Sequence, residues 1–403
     1  MASPFAVPAF RRWMGLRTCT TTAAQIQLAA IGWAVYTSTG DPLDLAWVGL
    51  AQFLPVLLLA LFAGQVADRF DRRLILGLCY SGQALISAAF AWLVYVGAVS
   101  TGPVFALGLA MGAVRAFGNP AGQALLPSLV PQDALAAALA ASASLWQLTT
   151  IIGPSIAGLL IGWGGGPTTA LIVASLLQLT AVALTTQLPA PVVAPRAVSW
   201  ESLLAGVVYV RRHRILLACT TLDLFAVLLG GATALLPIYA TTILHAGPAG
   251  FGMLRAAPAV GAATMAALLG WRPIRRRAGV AILGAVAIFG VATVVFGLSR
   301  WMPLSLCALV VLGAADMVSV VIRQTLVQLQ TPDEMRGRVA AVNQVFIGAS
   351  NELGEFESGV VAKLLGPVAA VVGGGVGTLG VVATGSLLFP ELAATDELTP
   401  PRE

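Results

Sequence analysis

Long apolar runs alternate with short polar or basic segments along the whole chain. A helix that crosses a bilayer needs about 20 mostly apolar residues, and the runs have that length. Cutting the chain at its proline, glycine and charged positions predicts about twelve spanning helices. Their approximate bounds are 16–38, 45–66, 74–98, 103–126, 137–162, 168–188, 215–243, 249–270, 279–298, 302–329, 338–364 and 367–389.

The composition identifies the solvent of these helices. Of 403 residues, 58% are hydrophobic and only 10% are charged, whereas ordinary soluble domains contain roughly 25% charged residues. A soluble protein of this length could not bury so much apolar surface. The chain is therefore predicted to be an all-α membrane protein.

The net charge of +5 comes from basic clusters in the polar segments between the runs. Most of the lysines and arginines lie on one side if the N-terminus is inside, as the positive-inside rule requires. Both termini are thus expected in the cytoplasm and the protein in the cell (inner) membrane. Nucleic acid is excluded as a partner, because no aromatic-rich basic surface accompanies the clusters. The clusters are Arg11/Arg12/Arg17, Arg69/Arg72/Arg73, Arg211/Arg212/Arg214, Arg272/Arg275/Arg276/Arg277 and Arg336/Arg338.

Soluble chemistry has little room in this chain. The four cysteines fall within apolar runs without the spacing of metal ligands, so neither a disulfide framework nor a zinc site is expected. No nucleophile–base constellation and no phosphate-binding loop occurs in the sequence. We therefore expect no enzyme activity, no cofactor, no metal and no ATP.

The two halves of the sequence match in order and at a nearly constant separation. Arg11-Arg12 corresponds to Arg211-Arg212, Pro55 to Pro258, and Gly153 to Gly354. Such a repeat predicts two pseudo-symmetric six-helix bundles with parallel topology. The expected domains are an N-terminal bundle 1–188, a cytoplasmic linker 189–214, a C-terminal bundle 215–389 and a disordered cytoplasmic tail 390–403.

The segment between the second and third spans carries the most specific motif, GQVADRFDRR at 64–73. It resembles the G-x-x-x-D-R-x-G-R-R/K motif of the major facilitator superfamily, with Asp71 in place of a glycine. The resemblance implies twelve helices in the major facilitator fold and a conformational latch on the cytoplasmic side. In this chain the latch residues would be Gly64, Asp68, Arg69, Arg72 and Arg73. Gly64 would allow close helix packing, and Asp68 would meet the start of the eleventh helix.

Arg115 lies near the middle of the fourth span, where a charge costs roughly 2.5–3.5 kcal/mol on insertion scales. It resembles the arginine motif of the fourth helix in the same superfamily. The repeat places Asp316 of the tenth span at the equivalent position. Two interpretations remain open: a role in substrate binding or proton coupling, and a structural ion pair that orients the bundles.

The fifth span contains Gly153-Pro154-Ser155-Ile156-Ala157-Gly158. This segment is similar to the G-P-x-x-G-G signature found mainly in exporters and antiporters of the superfamily. Gly153, Pro154 and Gly158 would allow close packing and bending at the interface between the halves. The resemblance therefore favours export.

Three carboxylates occur within the eleventh span, and Glu352 and Glu355 share one helical face that excludes Glu357. Carboxylates in low dielectric can exchange protons near neutral pH, so the Glu352/Glu355 pair is a candidate for proton coupling. The alternatives are a charge-paired interface with Arg255, Arg323 or Arg115, and a plain loop outside the membrane.

Two further groups of polar residues lie within predicted spans. Asp223 is in the seventh. A face of the first span carries Thr18, Thr21, Thr22 and Gln25, which suits either a cavity wall or ordinary helix–helix hydrogen bonding.

Over nearly its whole length the chain resembles the enterobactin exporter-like and macrolide-efflux-like branch of the superfamily. This resemblance implies export of a bulky small molecule. Together with the carboxylates within the spans it predicts a proton-coupled exporter of a small organic molecule that works by alternating access, and a monomer is expected. A proton-linked importer on the same scaffold is an alternative, and direction of transport would separate the two. A non-transporting membrane sensor or scaffold would leave the charges within the spans unexplained.

Overall fold

The computed structural model describes residues 4–189, 200–274 and 276–394. Within these ranges the chain is built of helices. They are α1 Pro8–Thr39, α2 Pro42–Arg69, α3 Arg72–Tyr95, α4 Thr101–Leu129, α5 Gln132–Leu160, α6 Gly166–Thr185, α7 Trp200–Arg212, α8 Arg214–Leu229, α9 Leu236–Ile238, α10 Gly247–Trp271, α11 Ala278–Leu298, α12 Met302–Leu329, α13 Asp333–Leu365, α14 Pro367–Leu388 and α15 Pro390–Ala393.

Each predicted span overlaps at least one helix of the structure. In the described part of the chain, ten helices are long and apolar enough to cross a membrane. The other two predicted spans are α1, with 32 residues, and α13, with 33. Both are long enough to cross a bilayer, but their charged and polar residues lower their hydropathy. These two helices complete the twelve spans of the fold.

The seventh predicted span, 215–243, is interrupted. Helix α8 ends at Leu229, and after Gly230-Gly231 the chain continues through a 3₁₀ turn, the short α9 and a π-helical turn at Tyr239–Ile243. A Cβ on Gly231 would lie 2.5 Å from the carbonyl oxygen of Gly354 in α13. The glycine pair therefore lets the backbone of the seventh span approach α13 at the point where the helix breaks.

The contacts divide the chain into two compact units. Unit 1 comprises Met1–Val198 with Gly247–Ala256, and unit 2 comprises Ser199–Ala246 with Ala257–Glu403, each as far as the structure describes it. The beginning of α10 thus belongs to the first unit, a boundary that differs from the sequence-based division at 189–214.

The segments expected as linker and tail both contain ordered structure. Most of the second part of 189–214 forms α7, and its Val210 packs in a small core with Leu216 and Val339. The segment 390–403 begins with α15, whose Leu392 is buried. Disorder therefore does not extend to Pro390–Ala393, and 395–403 lies outside the described residues.

The repeat is visible in how each unit ties its first helix to its last. In unit 1, Arg12 Nη1 donates to the carbonyl oxygen of Gln187, just past α6, at 2.9 Å. In unit 2, Arg214 Nη2 donates to the carbonyl oxygen of Leu388, at the end of α14, at 3.5 Å. The last carbonyls of a helix have no partner within the helix and favour a cation. Each arginine therefore caps the sixth span of its own bundle.

Glycines allow one equivalent close approach in each unit. A Cβ on Gly112 of α4 would collide with the carbonyl oxygen of Gln52 in α2. A Cβ on Gly313 of α12 would collide with the carbonyl oxygen of Pro258 in α10. Only glycine lets these backbones approach so closely, which is how spanning helices associate without a hydrophobic driving force.

Large apolar side chains are exposed along the spans. Leu58 is 70% exposed, Leu85 72% and Trp271 90%. Such surface is compatible with lipid as the surrounding solvent, and tryptophan at the end of a span is typical of the membrane interface. The chain is a multi-pass membrane protein.

Candidate functional site

Unit 1 contains a cavity of about 310 Å³ that is lined by five of its helices. Polar side chains from α1, α3, α4 and α6 and one tryptophan from α5 form most of its wall. Its polar and aromatic lining residues include Arg17, Thr20, Thr21, Gln25, Gln27, Tyr80, Gln83, Arg115, Asn119, Trp146 and Gln178.

One stripe of α1 supplies much of this wall. Arg17, Thr21, Gln25 and Leu28 recur at helical spacing and all line the cavity. The sequence had suggested Thr18, Thr21, Thr22 and Gln25 as the polar face. In the structure the face of α1 that lines the cavity is rotated by part of a helical turn from this prediction. Thr18 does not line the cavity: it is exposed, and its hydroxyl donates to the carbonyl oxygen of Met14. This polar stripe is also why α1 is less apolar than most other spans.

Arg115 lies on the cavity side of α4 and is exposed there. Its Nη1 donates to Gln52 Oε1 of α2 at 3.1 Å, and Gln52 itself is buried. No carboxylate of the described part of unit 1 pairs with Arg115. A guanidinium halfway along a span is thus held by one neutral amide and opens into the cavity.

A second cation lies in the same cavity. Arg17 is part of α1 rather than of a cytoplasmic loop, and its guanidinium carbon lies 5.9 Å from the ring centre of Trp13. Tyr80 of α3 adjoins Arg17 and Thr20. The sequence had placed Arg17 among the basic residues that set topology. In the structure Arg17 also lines the cavity. Its spacing of two helical turns from Gln25 could have predicted this position.

Behind the cavity a hydrogen-bonded chain joins three helices. Ser87 Oγ donates to Gln178 Oε1 at 3.0 Å, and Gln178 Nε2 donates to Gln27 Oε1 at 3.2 Å. All three side chains are buried, and Gln27 Nε2 has no hydrogen-bond partner among the described residues. A buried donor without a partner is costly, and this one belongs to a residue that lines the cavity.

The fifth-helix motif contacts the cavity wall through Gly153. A Cβ on Gly153 would lie 2.5 Å from the Cβ of Gln25. Gly153 therefore leaves the space that Gln25 occupies, and a larger residue there would displace a lining side chain.

The other end of that motif packs on the beginning of α10, which belongs to the same unit. A Cβ on Gly158 would lie 2.7 Å from the carbonyl oxygen of Pro248 and 3.0 Å from the Cα of Gly252. A Cβ on Gly252 would in turn lie 2.8 Å from the carbonyl oxygen of Pro154. Gly158 and Gly252 thus form a backbone-to-backbone contact between α5 and α10.

Unit 2 holds a buried ion pair. Arg323 of α12 pairs with Asp223 of α8, and the two residues are 2% and 7% exposed. The sequence placed both residues within spans without joining them. A buried pair of this kind is strongly destabilised when only one partner is removed.

Asp316 adds a second carboxylate to that ion pair. It lies two turns before Arg323 on the same face of α12 and shares a small cavity with Asp223 and Ser319. Both Asp223 and Arg323 are within electrostatic reach. Within the described part of the chain, no donor lies at hydrogen-bonding distance from Asp316. The cluster therefore contains two carboxylates and one guanidinium.

The carboxylates of the eleventh span lie in an unbroken helix. Glu352, Glu355 and Glu357 are all half-buried in α13. Glu357 contacts the hydroxyl of Ser358. Arg255, the other charged residue expected within the spans, is half-buried in α10.

The segment between α2 and α3 serves first as a set of helix caps. Arg72 is buried, and its Nη1 donates to the carbonyl oxygen of Ala124 in α4 at 2.9 Å. Arg73 Nη1 donates to the carbonyl oxygen of Leu188, past the end of α6, at 2.8 Å. Both arginines thus fasten α3 to its neighbours within unit 1.

Asp71, the departure from the superfamily pattern, caps α3. Its carboxylate accepts from the backbone N–H of Arg73 at 2.9 Å and pairs with the Arg73 side chain at 2.8 Å. The hydrogen bond from the Arg73 side chain lowers the pKa of Asp71 below its ordinary value of 3.8. Its φ of −59° suits any residue, so the aspartate is accommodated without strain.

One of the proposed latch residues, Gly64, has surroundings that differ from the sequence-based expectation. A Cβ on Gly64 would meet nothing within 4 Å, so Gly64 does not serve close packing among the described residues. Arg69 is exposed. The side chains of Asp68, Arg336 and Arg338 lie outside the described part.

Several cavity residues escaped the sequence analysis. Tyr80, Gln83, Asn119, Trp146 and Gln178 line the cavity, but they come from four different helices. Nothing local in the sequence marks them as neighbours, because only helix packing brings them together.

The comparisons with known proteins agree with this architecture. The family model described as transmembrane secretion effector matches residues 1–400. The chain belongs to this family of major facilitator transporters, which are transporters and not enzymes.

Individual relatives and solved structures extend the comparison. The chain is 28% identical over 358 residues to the multidrug efflux pump Tap of Mycolicibacterium fortuitum, which covers 85% of this chain and 86% of the pump. It is 28% identical over 347 residues to the enterobactin exporter of Escherichia coli (strain SMS-3-5), covering 84% and 81%. The crystal structure of the nucleoside transporter NupG matches 96% of this chain and 98% of its own with a TM-score of 0.70 and 15% identity. A bacterial homologue of the lysosomal transporter Spinster gives 0.72 at 14% identity, over 96% and 97%. The structures show the twelve-helix fold.

Proposed function

We propose that this chain is a proton-coupled exporter of small organic molecules that works by alternating access between two six-helix bundles. The family is one of transporters, and relatives over most of the chain are an efflux pump and a siderophore exporter. These relationships and the fifth-helix motif support export over import.

The observation that carries proton coupling is the cluster of Asp223, Asp316 and Arg323 in unit 2, in which Asp223 and Arg323 are buried and Asp316 is half-buried. Arg323 is neutralised by Asp223, which leaves Asp316 as a carboxylate without a cation of its own. A carboxylate with a carboxylate neighbour in low dielectric favours its neutral form. Asp316 is therefore the group in this cluster that can take up and release a proton.

The charged groups that bear on Asp316 are few. Asp223 comes from α8 and Arg323 from α12 itself, whereas α11 contributes the apolar Val286 and Phe289. Protonation of Asp316 from outside would remove the excess negative charge of the cluster. That change would bias one of the two access states, and substrate bound from inside would bias the other.

Two further sets of residues belong to this proposal. Glu352 and Glu355 are a second candidate site for proton coupling, together with Arg255. Asp68 and Arg69 would act as the latch on the cytoplasmic side with Arg72 and Arg73. We also propose that both termini are cytoplasmic, that the membrane is the cell membrane, and that the protein acts as a monomer.

The decisive experiment is transport in proteoliposomes with an imposed pH gradient, comparing the wild-type protein with Asp316→Asn. The asparagine has the same size but cannot ionise. We expect the variant to lose gradient-driven transport by about tenfold or more while it still exchanges substrate across the membrane without a gradient. Gradient-driven transport at the wild-type rate would remove Asp316 from the mechanism.

Asp133→Asn is the matched control. Asp133 is an exposed carboxylate in the first turn of α5, so its removal should leave proton coupling unchanged. The same vesicles report direction: a pH gradient that is acidic on the extracellular side should expel the substrate. Accumulation under that gradient would identify an importer instead.

A further inference from the structure

Arg115 lies halfway along α4 and Arg323 in the last two turns of α12, and their surroundings are opposite. Arg323 is buried and paired with a carboxylate of its own unit. Arg115 is exposed in the cavity, and its side-chain partner among the described residues is the neutral amide of Gln52. A charge at this depth is costly unless an opposite charge or water meets it. The charge of Arg323 is already paired within its own unit, whereas the charge of Arg115 is available to a ligand.

The carboxylates of unit 1 cannot supply that opposite charge from their places in the helices. The unit contains no glutamate at all. Each of its aspartates lies at a helix end: Asp41 before α2, Asp44 in its first turn, Asp68 in its last turn, Asp71 before α3 and Asp133 in the first turn of α5. The middle of the bundle holds cations without carboxylates.

The rest of the cavity wall favours acceptors and flat rings. Arg17 brings a second guanidinium, and the unpartnered Nε2 of Gln27 brings a further donor. Tyr80 and Trp146 present aromatic surface from two sides of the cavity. Guanidinium groups bind carboxylates and phenolates through charge-assisted hydrogen bonds, and aromatic side chains stack on conjugated ligands.

We propose that the cavity of unit 1 binds an organic anion that carries an aromatic or conjugated face, and that Arg115 with Arg17 selects it against cations of the same shape. The inference rests on the proposed function in one respect, namely that the bound molecule is the one transported. Binding itself can be measured without transport.

The test uses two dyes that share a xanthene frame and differ in charge. Fluorescein is an anion at neutral pH, and rhodamine 123 is a cation. Fluorescence polarisation with the purified full-length protein in lipid nanodiscs gives both dissociation constants. We expect fluorescein to bind about tenfold or more tightly than rhodamine 123. Equal binding, or tighter binding of rhodamine 123, would overturn the proposal.

Variants assign the selectivity to the cavity. Arg115→Gln should weaken fluorescein binding by about tenfold or more and leave or improve the binding of rhodamine 123. Arg115→Lys keeps the charge but loses the planar guanidinium group. Its affinity for fluorescein should therefore lie between that of the wild type and that of Arg115→Gln. Arg300→Gln removes the same charge from an exposed loop position and should change neither constant. An equal loss of both dyes in Arg115→Gln would overturn the proposal.

Arg17→Gln provides a second route if Arg115→Gln does not fold. It should also reduce the affinity for fluorescein, and an unchanged preference between the two dyes would contradict the proposed anion site.

The outcomes also separate this inference from the proposed function. Selective fluorescein binding without gradient-driven transport would refute only the function. Proton-driven export of rhodamine 123 in preference to fluorescein would refute only the anion site.

Discussion

At the scale of residues, each charged group within the spans is defined by its neighbours. A guanidinium beside a carboxylate is a structural element, and the same group beside an amide is available to a ligand. The contrast between Arg323 and Arg115 follows from this difference alone. The same reasoning leaves Asp316 as the carboxylate of its cluster without a cation of its own.

The cluster in unit 2 predicts an order of stabilities. Arg323→Gln should destabilise the protein by about 3–5 kcal/mol, because it leaves two carboxylates without a cation. Asp223→Asn should lower the stability by a smaller amount, because Asp316 remains to neutralise Arg323. The double variant Arg323→Gln/Asp223→Asn should be more stable than Arg323→Gln alone. Thermal unfolding of the purified variants measures this order, and an Asp223→Asn variant less stable than Arg323→Gln would contradict the arrangement.

The cap at the start of α3 predicts a pH dependence. Asp71→Ala should cost about 0.5–2 kcal/mol, whereas Asp71→Asn keeps an acceptor for the backbone N–H and should cost less. The pKa of Asp71 is lowered in the folded state, chiefly by the hydrogen bond from the Arg73 side chain.

The ionic part of that contribution is present at pH values above the ordinary pKa of 3.8. It is lost as the pH falls through the lower, folded-state value. The stability difference between the wild type and Asp71→Asn should therefore stay constant near neutral pH and shrink below about pH 4. A difference that grows on acidification would rule out the pairing with Arg73.

The sequence predicted some of these residues and not others for a physical reason. Arg115, Asp316 and Gln25 stand out because a polar group within an apolar run is costly wherever it points. Tyr80 and Trp146 do not stand out in the sequence, because aromatic residues are common in spanning helices. They can face lipid, other helices or a cavity. The pairing of Asp223 with Arg323 needs the packing of two helices that are distant in the sequence.

At the scale of elements, glycine decides where helices meet. The fifth helix contacts Gln25 through Gly153 and the beginning of α10 through Gly158. Gly64 has no such role, since a Cβ on it would meet open space. Motif membership alone therefore does not identify the glycines that the packing requires.

Gly158→Ala should separate α5 from α10. Its methyl group would collide with backbone atoms of Pro248 and Gly252, which cannot rotate away. We expect a loss of about 1–3 kcal/mol in stability from this overpacking. Gly162→Ala is the control on the same stretch of chain, because its Cβ would lie 3.9 Å from Pro248 in ordinary contact. Equal thermal stability of the two variants would show that the close approach does not stabilise the fold.

Element positions were largely predictable and helix interruptions were not. The apolar runs located the spans because bilayer thickness fixes the length of a spanning helix. The break after Leu229 escaped prediction, since Gly230-Gly231 resembles the many other glycines of an apolar chain. Helix α7 escaped because the basic, proline-rich segment around it was interpreted as linker.

At the scale of the whole molecule, the two repeats share helices and caps but differ in charge. The arginine caps at α6 and α14 and the glycine contacts of α4 and α12 recur in both. The carboxylates within spans all belong to unit 2, as Asp223, Asp316, Glu352, Glu355 and Glu357. Duplication thus accounts for the shared frame, and divergence has separated a cationic cavity from a carboxylate cluster.

This separation has an electrical consequence if both proposals hold. Export of a dianion such as fluorescein in exchange for one entering proton moves three positive charges inward, whereas export of a monocation for one proton moves none. Each charge gains about 2.3 kcal/mol from a potential of 100 mV. An interior-negative potential, set by potassium and valinomycin without a pH gradient, should therefore accelerate fluorescein efflux from loaded proteoliposomes. Equal potassium on both sides is the control, and Asp316→Asn should abolish the acceleration. Efflux that responds to a pH gradient but not to the potential would exclude this charge balance.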